Sequence, residues 1–207
     1  MNGAYPVQFD VEYPDRPLDR LTTAFRLIVA IPILIVLGLV SGSDWNTWRN
    51  GTTGTTAAAG GILFGATLLL ILFRQKYPRW WFDWNLELLR FSNRVTVYIA
   101  LMDDRYPSTD EHQSVRLEIP YPDATRLVRW LPIVKWLLAI PHYIVLFFLD
   151  IAALVSVIIA WFVILFTGRY PRELFDYLVG VIRWHNRVIA YAFMLTTDQY
   201  PPFSLRP

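Results

Sequence analysis

The chain contains no cysteine, which excludes disulfides, thiolate metal ligands and a cysteine nucleophile together. It is also poor in charge. Asp, Glu, Lys and Arg make up 17% of its 207 residues, against a hydrophobic share of 55% and an aromatic share of 16%, a balance too apolar for an ordinary water-soluble fold. The scarcity is concentrated: no charge occurs from Gly51 to Phe73, and Asp150 alone interrupts Trp136 to Gly168. A charge-free run of about 20 residues is long enough to cross a bilayer as a helix. Also absent are GxSxG, a P-loop, HExxH and a dinucleotide GxGxxG, so hydrolytic and nucleotide chemistry have no motif to stand on. The expectation is a protein that is not an enzyme. His112, His142 and His185 share no ligand-like spacing, and neither metal nor cofactor is expected. A net charge of +2 without a basic tract argues against nucleic acid as a partner. Met1 to Tyr13 has Asp10 and Glu12 but no basic residue, unlike a cleaved signal peptide, so the first apolar helix is expected to serve as an uncleaved anchor.

What the chain does have is one stretch that recurs. Tyr77-Pro78-Arg79, Phe82-Asp83, Arg90, Asn93-Arg94-Val95 and Tyr98 return as Tyr170-Pro171-Arg172, Phe175-Asp176, Arg183, Asn186-Arg187-Val188 and Tyr191, always 93 positions later. Tyr121-Pro122-Asp123 likewise echoes Tyr13-Pro14-Asp15, and Ala139-Ile140-Pro141 echoes Ala30-Ile31-Pro32. Self-similarity of this kind predicts two copies of one unit, residues 1–108 and 109–207.

Each unit is expected to hold a strand, a two-helix membrane hairpin, an interfacial amphipathic helix and a second strand. The fold class is thus an α-helical integral membrane protein with a small cytoplasmic β-sheet. Alternation of Val7, Phe9, Val11 and Tyr13 with polar residues marks the first strand, and Val115, Leu117, Ile119 and Tyr121 mark its counterpart. Spans are expected at 21–42 and 56–74, joined by a Gly- and Thr-rich loop, and at 130–149 and 151–168, turning near Asp150, with a single tilted helix over 130–168 as the alternative. The interfacial helices fall at 78–94 and 171–187, followed by strands at 95–102 and 189–195. With four spans, every Lys and Arg except Arg49 lies on one side, which puts both termini in the cytoplasm.

The second unit carries Ala139-Ile140-Pro141-His142, Trp161-Phe162, Phe166-Thr167-Gly168-Arg169-Tyr170-Pro171-Arg172, Arg183-Trp184, Arg187-Val188 and Tyr200-Pro201-Pro202-Phe203. In these it resembles the bacterial membrane family called domain of unknown function 4389. The resemblance covers nearly all of residues 115 to 205, and the first unit is a looser copy with Ile33 where His142 stands. It implies a small multi-span protein of the bacterial inner membrane and carries over no chemistry.

The candidate binding residues are Arg79, Arg90, Arg94, Arg172, Arg183 and Arg187 with Trp80, Trp81, Trp84 and Trp184. Guanidinium groups at the headgroup level bind phosphate in bidentate fashion, and aromatic residues anchor there. The competing explanation for the arginines is topological anchoring and capping of the sheet. Gly38 with Gly42, and Gly61 with Gly65, have the GxxxG spacing of close helix packing, either within a hairpin or in self-association. Asp83 and Asp176 recur as a possible carboxylate pair, but an arginine four residues earlier makes a surface ion pair the simpler account. His142 is expected to bond a carbonyl freed by Pro141, with a proton relay as the alternative. Asp150 reads as a solvated turn residue, or as a functional group if it is buried at membrane depth. The function expected is a scaffold or accessory subunit that binds anionic lipids or a larger membrane complex. A small oligomeric transporter or channel is the alternative, and an enzyme built on Asp83, Asp176 and His185 a distant third.

Overall fold

The computed structural model describes residues 5–40, 65, 67–108, 113–125 and 127–207. In chain order the elements are β1 (Gln8–Val11), α1 (Arg20–Ala24), α2 (Arg26–Val40), a short π-helical segment (Leu70–Arg74), α3 (Arg79–Ile99), β2 (Val115–Glu118), α4 (Leu131–Leu138), α5 (Ile140–Thr167) and α6 (Arg172–Ala192).

Only one helical stretch among the described residues, Leu131–Thr167, is long and apolar enough to cross a membrane. The architecture of two membrane hairpins with four spans is therefore corrected. Residues 130–168 do not turn at Asp150: nothing there breaks a helix, since Pro141 sits in the first turn of α5 where its missing N–H is harmless. The helix ends at Gly168, whose φ of 73° is the left-handed conformation that glycine adopts without Cβ strain. The expected span at 56–74 and its preceding loop lie largely outside the described residues, and α2 has 15 residues, shorter than a full crossing.

The four-stranded sheet is corrected to two strands. β1 and β2 pair antiparallel, with Phe9 opposite Leu117 and Val11 opposite Val115. Val95 to Ile99 and Ile189 to Ala192 are helical ends of α3 and α6, not strands. Their β-branched residues lose to packing: Phe91, Val95 and Tyr98 keep helical spacing and bury against Ala30 and Ile33 of α2. Trp184, Val188 and Tyr191 bury in the same way against Ala139 and Leu146. Each such side chain contributes about 1.5–3 kcal/mol on burial, more than the propensity difference that would favour a strand.

Hydrogen bonds and ring contacts join the two halves. Tyr13 donates to the Tyr170 carbonyl at 2.6 Å and packs edge-on to Phe175, while Tyr121 donates to the Tyr77 carbonyl and packs edge-on to Phe82. Asn93 and Asn186 exchange side-chain hydrogen bonds of 2.8 and 3.0 Å.

The layers follow from the faces of α6. Arg183 donates to the Phe9 carbonyl of β1, and Arg187, one turn further, lies over Tyr5. Val181, His185 and Val188 occupy the opposite helical face and meet the α4–α5 side. The sheet, the α3 and α6 pair, and α5 are therefore stacked in that order. α5 runs antiparallel to α6, because the turn at Gly168 reverses the chain and its Asp150 and His142 meet His185 and Trp184.

Candidate functional site

The four recurring arginines do not form a free cationic surface. Arg90 donates twice to the Leu117 carbonyl, each at 3.1 Å, and pairs with Glu87 at 2.6 Å. Arg183 donates to the Phe9 carbonyl at 2.9 Å and the Leu205 carbonyl at 2.9 Å, with Asp10 at 3.5 Å. Arg94 holds the Ser108 carbonyl, and Arg187 holds those of Ser204 and Arg206. These groups clamp the sheet and the tail, the capping role weighed against headgroup binding. Burial lowers the pKa of Arg183, opposed by Asp10, and lowers that of Arg187, with Arg183 adding to the effect.

Arg79 and Arg172 differ: both are largely exposed, in ion pairs with Asp83 at 3.9 Å and Asp176 at 3.4 Å. Trp80 and Trp84 are exposed beside Arg79. Trp81 is half-buried and donates to Thr67 at 2.8 Å, and Trp184 is buried, so these two are packing residues. Gly38 is described and Gly42 and Gly61 lie outside the described residues; a Cβ at Gly65 would meet nothing within 4 Å.

Asp83, Asp176 and His185 each have a separate ion-pair partner, and the structure does not assemble them into one carboxylate site. His142 is not bonded to a freed carbonyl. Its Nδ1 accepts from Trp184 at 2.9 Å, and its ring stacks on Phe203 with centroids 4.0 Å apart. Nε2 then carries the proton, and it is buried without a partner.

Asp150, expected at a hairpin tip, stands mid-helix and pairs with His185 Nε2 at 3.4 Å. It borders a half-open, mostly apolar groove of about 440 Å³ between α3, α5 and α6, with the bonded Asn93 and Asn186 among its lining residues. A second cavity of about 490 Å³ lies between β1 and α6, where Arg116, Arg183 and Arg187 face Asp10 and Glu118. No group of three or more potential metal ligands occurs among the described residues.

Two buried cations were missed at the level of sequence. Lys135 is fully buried, 2.7 Å from Asp198, and donates to the Thr197 carbonyl. Arg26 is 1% exposed, pairs with Asp104 and lies over Tyr98. The available signal was a lone basic residue at the start of each apolar run, with Asp103-Asp104 and Asp198 shortly after the amphipathic helix.

The outer face of α5 is exposed and apolar. Ile144, Phe147, Phe148, Ile151, Leu154 and Phe166 are all at least half exposed, with Phe166 at 79%. Only 17% of the most apolar window of 131–167 is buried, so this is not the core helix of a soluble domain.

No curated protein and no solved structure matches the chain. Residues 129–204, which hold α4, α5, α6 and the segment that caps His142, match the model of the family described as domain of unknown function (DUF4389).

Proposed function

We propose that this protein is a non-catalytic membrane component, a scaffold or accessory subunit, that holds to lipid through the outer apolar faces of α2 and α5. The observation that carries this is the continuous row of exposed Ile, Leu, Val and Phe on α5. A contiguous apolar surface of that extent is a membrane or protein contact. Leu27, Ile28, Ile31 and Leu39 of α2 add to it. Arg79, Arg172, Trp80 and Trp84 are the members of the sequence-derived set that stay exposed, but Arg79 lies over Tyr121 and Arg172 over Tyr13, on the sheet side and not on the outer face of α5. The clamped arginines supply rigidity to the same surface domain.

Flotation of purified protein with vesicles tests the reading. Binding is expected both to neutral vesicles and to vesicles containing phosphatidylglycerol, because the contact is apolar. Arg79→Gln with Arg172→Gln should leave it unchanged, since both side chains lie over tyrosines on the sheet side. Protein that stays at the bottom of the gradient with both vesicle types would count against lipid as the partner.

A further inference from the structure

We propose that the α4–α5 helix lies in the plane of a single leaflet and does not cross the bilayer. The inference rests on lipid being the partner of its outer face. Its first support is length: α4 and α5 together take 37 residues, about 55 Å end to end, so an upright crossing of a hydrocarbon core of roughly 30 Å would require a strong tilt.

The second is the angular distribution of exposure. Ile133, Ile144, Ile151, Ile158 and Phe162 are all exposed, and at 100° per residue they fall within roughly 40° of one another. His142, Leu146, Ser156, Ala160 and Ile164, on the opposite face, are buried in protein. One unbroken apolar stripe therefore runs from α4 to the end of α5, with protein along its back. The helix thus has its back packed on protein and its outer face apolar along its whole length.

The third support is what lies behind it. α6 runs antiparallel along α5, as the His142–Trp184, Asp150–His185 and Leu149–Tyr177 contacts require. Beyond α6 come β1 and β2 with Asp10, Glu12, Arg116 and Glu118, all exposed or half-exposed. If α5 stood upright across the bilayer, this charged sheet and the Asp150–His185 pair would be carried to mid-membrane, where ionised groups are disfavoured. With α5 flat, all of them remain on the aqueous side, and Asp150 sits at the edge of the stripe, turned toward His185. The partner of the stripe is thus the outer acyl-chain region of one leaflet.

Depth measurements on spin-labelled single-cysteine variants test this. Ile133→Cys, Ile144→Cys, Ile151→Cys, Ile158→Cys and Phe162→Cys are placed in phosphatidylcholine–phosphatidylglycerol vesicles, and collision with oxygen and with a water-soluble nickel chelate is read at each. These positions are exposed, so the labels displace no core residue. In-plane docking predicts the same shallow depth at all five. A profile that is deepest at Ile144 and Ile151 and reaches headgroup level at both ends would overturn the in-plane arrangement while leaving lipid contact intact. Equal nickel accessibility at every position, with no lipid immersion, would overturn lipid contact itself. Immobilised labels that neither reagent reaches, together with dimeric protein in detergent, would assign the face to a second copy and overturn the proposal.

Discussion

Lys135 and Arg26 show how single residues fix where the apolar helices begin. Each puts a charge at the inner edge of a hydrophobic run, where it is held by an aspartate and by main-chain carbonyls. Removing one member of a buried pair strands the other, at a cost of about 3–5 kcal/mol. Lys135→Ala should therefore lower the thermal midpoint in detergent markedly, and Asp198→Asn nearly as much. A change within error would mean the pair is solvated. The Asn93–Asn186 exchange is subtler. Either Asn→Ala change alone leaves a buried amide without its partner, a loss of about 1–3 kcal/mol, whereas the double change should cost less than the sum of the two. Additive losses in a double-mutant cycle would remove the coupling.

Buried tyrosines give a pH dependence. Tyr77 donates to the Met194 carbonyl at 2.9 Å and Tyr170 to the Ala100 carbonyl at 3.1 Å. Burial raises both pKa values above the ordinary 10.0. The folded state thus favours the neutral phenol, and its stabilisation is complete below pH 10 and lost as pH climbs toward the raised folded-state values. Thermal midpoints measured against pH should be flat up to about pH 10 and fall above it, less steeply in Tyr77→Phe and Tyr170→Phe. A decline that begins near neutrality would assign the alkaline loss to other groups.

At the scale of elements, α6 is the pivot, because four neighbours share its surface: β1, α4, α5 and the tail. The tail is held closely. An added Cβ at Gly180 would come within 2.8 Å of the Leu205 Cβ and 3.0 Å of its carbonyl oxygen. Gly180→Ala must therefore displace residues near 205, loosening the carbonyls that Arg183 and Arg187 clamp. Faster hydrogen exchange in the tail and a loss of about 1–3 kcal/mol are expected, and unchanged exchange would show that the tail gives way freely.

Parts of these elements were legible in the chain. The alternating residues of β1 and β2 mark strands, and Pro78 and Pro171 mark where α3 and α6 start. The ends of those helices were misjudged, because Val95, Val97, Val188 and Ile189 look strand-like by type while their burial follows a helical period set by α2 and α5. The partners of that packing lie some 40 to 65 positions away in sequence, beyond any local window.

For the molecule as a whole, the apolar composition is matched by the exposed Ile, Leu, Val and Phe of α2 and α5, but their arrangement was not legible. A turn near Asp150 is expected from the sequence because a single helix over 130–168 would be about twice as long as the bilayer core is thick. The structure instead supplies His185 from the neighbouring helix, so the helix continues and the charge is accommodated at its flank. The arginines likewise misled, since a guanidinium that binds phosphate is equally suited to a cluster of carbonyls, and only the fold decides between them.

The absence of cysteine gives a clean background for testing how the molecule meets the membrane. Trp136→Cys and Phe166→Cys lie near opposite ends of the long apolar helix. In sealed vesicles reconstituted with one orientation, a membrane-impermeant maleimide added from outside, or enclosed within, should label both residues from the same side. Labelling of the two from opposite sides would establish a crossing helix and contradict the account.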